Sequence, residues 1–171
     1  LAHAMHGLSV MWHRRDYDTA VAAERRALSL NPSAALAHQF QGCVLTFAGA
    51  PREALVHLDA ALRLNPQGSN TTMLLSDMAL AYMLIGDHES AVAHAQRAVG
   101  QFAGDVRAHQ RLVAALGHLG RREEAEAALA ELLRRQTRFS RRYVDLTYPF
   151  RDPADLEMLV AGLKRAGWKG A

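Results

Sequence analysis

Stretches of helix length, in which apolar residues recur every three or four positions, alternate with short polar breaks along almost the whole chain. Four of these stretches align with one another: DYDTAVAAERRAL (16 to 28), PREALVHLDAAL (51 to 62), DHESAVAHAQRAV (87 to 99) and RREEAEAALAELL (121 to 133). Their alanines Ala20, Ala54, Ala91 and Ala125 stand 34, 37 and 34 residues apart. Each is preceded by a second apolar pattern of helix length. That pattern ends in Gly49, Gly86 or Gly120, with Arg15 at the same place in the first copy. The spacing therefore predicts four units of two helices each. The breaks fit helix ends: Asp16 and Asp87 suit N-caps, Pro51 suits a first helical position, and Gly after a helix accepts the left-handed conformation found there. Ser33, after Asn31-Pro32, is expected to cap the next unit.

Composition supports helices throughout. Ala and Leu supply 56 of 171 residues, whereas Ile occurs once, at Ile85. The first two favour helix and β-branched residues favour strand, so an all-α chain is expected. Charged residues make up 22% with both signs interspersed, which argues against disorder. Lone Cys43 rules out an internal disulfide framework and a cysteine-rich metal site, and fits a reducing, cytoplasmic setting. The longest uncharged stretch, Ala27 to Pro51, is interrupted by Pro32, His38, Gln39 and Gln41, so no membrane insertion is expected. Leu1 opens directly on a helical pattern without an initiator Met, which suggests a segment of a longer protein.

A helix-turn-helix unit of 34 residues resembles the tetratricopeptide repeat. With units at 1–34, 35–68, 72–105 and 106–139, the family's small position 8 falls on Leu8, Gly42, Ala79 and Val113, and position 20 on the four alanines. The position 32 proline is kept at Pro32 and Pro66 and replaced by Ala103 and Thr137. Three extra residues in Gln67-Gly68-Ser69-Asn70-Thr71 lengthen the link into the third unit. The resemblance covers about four fifths of the chain and implies a right-handed superhelical solenoid of four repeats.

The remainder, 140–171, continues an aromatic segment with Phe139, Tyr143, Tyr148 and Phe150, then Asp152-Pro153 and the stripe Leu156, Leu159, Val160 and Leu163 of an amphipathic helix. This helix is expected to cap the open end of the solenoid; the other reading is that it docks on a partner. The text PFRDPADLEMLVAGLKRAGW (149 to 168), after ALGHLGRREEAEAALAELL (115 to 133), resembles the C-terminal end of a bacterial group of multidomain signalling proteins. In that group a class III adenylate/guanylate cyclase domain, or sometimes a winged-helix DNA-binding domain, precedes the repeats. The resemblance implies a regulatory or scaffolding interaction module and places no chemistry within these residues.

Enzyme motifs are missing from the sequence: there is no GxGxxG, GxxxxGK[ST] or HExxH run, so no catalytic residue and no cofactor is assigned. Nine histidines raise a metal reading, with His3 and His6 three apart and His6 and His13 seven apart. Two imidazoles without a third ligand hold zinc poorly, and His57 with His94 share position 23 of their repeats, which points to repeat geometry. The run Arg134, Arg135, Arg138, Arg141 and Arg142, with Arg107 and Arg111, could form a basic end. The small net charge of +3 and the lack of a base-reading motif favour a solvated face or an acidic protein patch over nucleic acid.

The resemblance makes the concave groove the expected partner surface. Its residues are Met5, Ser9, Trp12, Leu36, Gln39, Cys43, Met73, Ser76, Leu80, Met83, Arg107, Gln110 and Arg111. Trp12, Met73, Leu80 and Met83 are the expected apolar anchors, and Arg107 and Arg111 the polar end contacts. A surface this rich in Met suits an apolar protein or peptide segment. A chaperone-tail clamp is not expected, because Met5, Ser9, Phe40, Met73 and Asp77 stand where its Lys, Asn and Arg would be. The tail or a second copy in a homo-oligomer could instead fill the groove. The register makes one direct prediction: Ala91→Leu overpacks a helix contact and lowers stability by about 1–3 kcal/mol in chemical denaturation.

Overall fold

The computed structural model describes residues 2–170; Leu1, where the repeat register starts, lies outside them. The described residues form ten α-helices and no strand. Four antiparallel pairs come first: α1 (Ala2–Arg14) with α2 (Tyr17–Leu30), α3 (Ala35–Phe47) with α4 (Pro51–Leu64), α5 (Thr71–Leu84) with α6 (His88–Gln101), and α7 (Val106–Leu119) with α8 (Arg122–Arg135). Two further helices follow, α9 (Arg141–Thr147) and α10 (Pro153–Arg165). The odd-numbered helices α1, α3, α5 and α7 touch in sequence and form the inner layer, with α2, α4, α6 and α8 outside.

The helix boundaries follow local chemistry. Asp16 accepts a hydrogen bond from the Thr19 N–H (3.1 Å) and Asp87 from the Ser90 N–H (3.0 Å), satisfying donors that the first turn leaves free. Asp105 does the same for α7, accepting from Arg107 and Ala108. Ser33 does not cap α3: that helix starts after Ala34 without a side-chain cap, and the Ser33 N–H donates to Asn31 Oδ1 instead. Between paired helices the chain turns through the left-handed region at one repeat position, with φ of 87° at Gly49, 83° at Gly86 and 70° at Gly120. The first repeat puts Arg15 there at φ 55°, an uncommon conformation for a residue with a Cβ.

Close approach of the paired helices explains the recurring alanines. Ala20, Ala54 and Ala91 are fully buried and Ala125 almost so. A Cβ on Gly42 would stand 2.5 Å from Leu58 Cγ, so position 8 of the second repeat has room for nothing larger.

The terminal helix caps the last repeat, on its inner side. It packs along the inner helix α7, and the two cross at Gly117 and Gly162, where a Cβ on either residue would collide with the backbone of the other helix. His118 of α7 ties the crossing: its Nε2 donates to the Met158 carbonyl (2.8 Å), and its Nδ1 accepts from Arg165 (3.1 Å). The main core runs along the inner layer, from Val10 and Met11 through Val44, Phe47, Leu80 and Met83 to Val113 and Leu116, and on into Tyr148, Phe150, Leu159 and Leu163.

One acidic side chain is sealed into the first repeat. Glu24 is fully buried, and neither of its carboxylate oxygens has a hydrogen-bond partner among the described residues. Burial pushes its carboxyl pKa up to about 8, so Glu24 is mostly protonated at neutral pH. The folded state then binds a proton that the unfolded chain releases at ordinary carboxylate pH. The Glu24 contribution is present below that range and is lost as pH rises toward 8. Replacing Glu24 by Gln should remove this loss: between pH 5 and pH 8.5 the variant's melting temperature falls less than the wild type's, as read by differential scanning fluorimetry.

Candidate functional site

Four residues divide the concave face in two. After α9 the segment Tyr148-Pro149-Phe150-Arg151 runs back across the inner layer to the first two repeats, which lie more than 100 residues earlier in the chain. Its backbone is held at each step. Arg15 Nη1 donates to the Tyr148 carbonyl (3.2 Å), the Tyr17 hydroxyl donates to the Pro149 carbonyl (3.1 Å), and the Arg151 N–H donates to the Phe47 carbonyl at the end of α3 (2.9 Å). Its side chains pack as firmly. The rings of Tyr148 and Phe150 meet that of Phe47 at centroid distances of 6.4 and 4.9 Å, and the Arg151 guanidinium lies over the Tyr17 ring while bonding Asp18. The Tyr148 hydroxyl donates to Gln110 Oε1 (2.6 Å), and Gln110 Nε2 donates to Gln136. Together this segment and α10 cover the half of the inner face nearest the C-terminal ends of its helices.

The other half is open. A cleft of about 550 Å³ is lined by Leu8 and Trp12 of α1, Phe40 and Cys43 of α3, Met73, Ser76 and Asp77 of α5, Phe102, and Arg107 and Arg111 of α7. Ser69, Asn70 and Thr72 form part of its wall, so the lengthened link after the second repeat serves as a rim. Across the cleft the Arg107 guanidinium sits 4.7 Å from the Trp12 ring centroid, a cation–π contact that joins the first repeat to the fourth.

The charges at the base are paired within the protein, although Arg111 Nε and Nη2 are buried without a hydrogen-bond partner among the described residues. Arg111 Nη1 bonds Asp77 Oδ1 (3.1 Å) and the Ser76 hydroxyl (2.7 Å), with both ionic side chains buried. Burial raises the Asp77 carboxyl pKa, while the Arg111 charge and hydrogen bond pull it back down. Asp105 is used as the α7 cap. What the cleft offers a partner is therefore mostly apolar. Cys43 contributes surface and not reactivity, since burial pushes its thiol well above the ordinary range.

The thirteen groove residues expected from the sequence fall in different places. Trp12, Cys43, Met73, Ser76, Arg107 and Arg111 line the open cleft. Leu80 and Met83, expected as partner anchors, are fully buried in the core that the tail completes, and are unreachable by a foreign segment. Gln110 is also fully buried, as a partner of Tyr148. Leu36 and Gln39 border a separate pocket of about 50 Å³, and Met5 and Ser9 are exposed outside the cleft. Leu8, Phe40 and Phe102 complete the apolar lining, and Phe102, at 61% exposure, marks its rim. The arginine run does not join Arg107 and Arg111 in one basic end. Arg134 and Arg135 pair with Glu131, and Arg141 pairs with Asp145 and Glu157, so much of that charge is neutralised locally.

Among the described residues no group of three or more His, Cys, Asp or Glu side chains is placed to hold a metal ion. None of the described helices is long and apolar enough to cross a membrane. The buried ion pair gives a double-mutant test. Asp77→Ala alone leaves the Arg111 charge uncompensated and costs about 3–5 kcal/mol in denaturant unfolding, whereas Asp77→Leu with Arg111→Met recovers most of that loss.

Comparison with known proteins places this architecture. The tetratricopeptide repeat family model matches residues 82–147. No curated protein matches the chain in sequence. Among solved structures, MamA AMB-1 superposes with a TM-score of 0.69 at 17% identity, over 98% of this chain and 96% of that one. PilF of Pseudomonas aeruginosa gives 0.70 at 19% identity, over 98% and 76%. YrrB, described as a TPR protein with an unusual peptide-binding site, gives 0.64 at 22% identity, over 95% and 80%. The tetratricopeptide-repeat match is thus confined to residues 82–147, and across its described length the chain shares the all-helical solenoid fold of these structures.

Proposed function

We propose that this chain is a non-enzymatic protein-interaction module that holds an apolar segment of a partner in the open half of its concave cleft. The observation that carries this reading is the cleft itself: about 550 Å³, lined by Leu8, Trp12, Phe40, Met73 and Phe102, with Asp77 at its base paired to Arg111 and Arg107 resting on Trp12. An incoming side chain there would gain apolar burial without having to displace a strong polar contact. The peptide-binding site named for YrrB, a neighbour in fold, agrees with this use of the architecture.

The wider setting we propose is cytoplasmic, as the regulatory or scaffolding C-terminal part of a bacterial signalling protein of the adenylate/guanylate cyclase type. Support comes from the tail text PFRDPADLEMLVAGLKRAGW, whose opening Pro149-Phe150-Arg151 belongs to the segment that closes the fold. A module built this way would transmit a binding event as a change in how its attached domain is presented. The coding sequence upstream tests the setting: a cyclase catalytic domain supports it, and a winged-helix DNA-binding domain replaces it with transcriptional control.

Met73 and Phe102 are exposed enough to change without disturbing the core. In a screen of short peptides against the whole chain, the strongest binders should carry apolar anchor residues. Met73→Glu or Phe102→Glu should weaken them by about tenfold or more, with melting temperature unchanged. Unchanged affinity in both variants would move the site elsewhere, and a mass that rises with concentration in light scattering would assign the cleft to a second copy.

A further inference from the structure

Arg15 stands where the other repeats place glycine. The turn between paired helices uses a left-handed residue there, with φ of 87°, 83° and 70° at Gly49, Gly86 and Gly120 and 55° at Arg15. A Cβ built on any of those three glycines meets nothing within 4 Å, so backbone conformation and not space favours glycine at this position. An arginine kept in that conformation calls for a compensating role of its side chain. Its Nη1 donates to the Tyr148 carbonyl (3.2 Å), 133 residues further along the chain.

The segment it holds, residues 148–151, reaches both walls of the open cleft. Toward the first repeat, Tyr148 and Phe150 pack on the Phe47 ring, and Phe47 meets the Trp12 ring edge to face at 5.6 Å. Toward the fourth, the Tyr148 hydroxyl bonds Gln110, three residues after Arg107 on α7. Trp12 and Arg107 are the residues that meet across the cleft. The start of α2 holds the same segment twice more, through the Tyr17 hydroxyl on the Pro149 carbonyl and through Asp18 on the Arg151 guanidinium.

We infer that residues 148–151 are a strap that sets the opening of the cleft, and that Arg15 is the positioning residue that fastens it to the first repeat. Contacts run without a gap from Arg15 through Tyr148 and Phe47 to Trp12 on one wall, and through Gln110 to α7 on the other. With the strap seated, Trp12 and Arg107 are held in register. With it released, the two walls are joined only by their own cation–π contact and by the stacking of the repeats between them. The coupling is reciprocal: a partner segment that bridges the walls favours the seated strap by the same factor as the seated strap favours the partner.

The test follows the Arg107 Nε–H resonance of the whole chain by NMR with no partner present, since a guanidinium over the Trp12 ring is displaced upfield by the ring current. The double variant Arg15→Gly/Tyr17→Phe removes two fastenings and keeps a residue suited to the turn. The resonance should then move well toward that of a free arginine, with helical content unchanged in circular dichroism. Arg15→Gly alone should move it part of the way, and Arg15→Lys, which keeps a donor, should move it less. A residue with a backbone role only gives the reverse order, because glycine suits the left-handed turn best. Asp16→Ala weakens the α2 cap in the same turn and should leave the resonance in place. Peptides that bind the wild type should bind the double variant about tenfold more weakly. This last arm rests on the partner-binding reading of the cleft; the NMR arm stands without it, so the two fail separately. An unmoved Arg107 resonance in the double variant, the reverse order of Gly and Lys at position 15, an equal shift in Asp16→Ala, or unchanged peptide affinity in the double variant overturns the proposal.

Discussion

The inner faces of α1, α3, α5 and α7 are apolar, and leaving them in water would be costly; how they are covered shapes the rest of the molecule. Met11, Phe47, Leu80 and Met83 lie on this surface and are all buried or nearly so. Stacking of repeats covers the sides of each helix pair but not the concave face that the pairs create together. Here the chain supplies its own cover. Tyr148, Phe150 and α10 fill that half of the concavity, and three hydrogen bonds to their main chain fix the position of the returning segment. Satisfying those buried backbone groups makes the arrangement specific as well as apolar.

Covering one half defines the other. The Arg107–Trp12 contact and the buried Arg111–Asp77 pair lie where the cover ends, and they connect the first, third and fourth repeats. The remaining cleft is consequently small, walled and largely apolar, unlike an open groove running the length of the array. A solenoid bridged between its first and last repeats is also stiffer than a chain of nearest-neighbour contacts. A partner seated in the cleft would meet residues of all four repeats at once.

Much of the fold is legible in the sequence because its determinants are local. Ala20, Ala54, Ala91 and Ala125 mark helix contacts at repeat spacing, and Asp16, Asp87 and Pro51 mark helix starts. The site was harder to read. The groove residues follow from repeat register on the assumption of an uncovered inner face, and that assumption fails for Leu80 and Met83. Nothing in their own neighbourhood signals the failure, because the cover arrives from residues 148–151 through bonds to backbone carbonyls, which any sequence possesses. Phe102 carries little signal for a similar reason: it is a helix-end residue whose position against the cleft depends on the turn into α7. The aromatic clustering of Phe139, Tyr143, Tyr148 and Phe150 does show that the tail must be buried somewhere, though not where.

Amide hydrogen exchange at Arg151, whose N–H donates to the Phe47 carbonyl, tests the closure most directly. If the returning segment is part of the core, this amide exchanges as slowly as those in the middle of α5 and α7, opening only with global unfolding. Exchange at the rate of a free chain end, with α5 and α7 still protected, would mean that the concave face is open along its whole length and that the closed architecture is wrong.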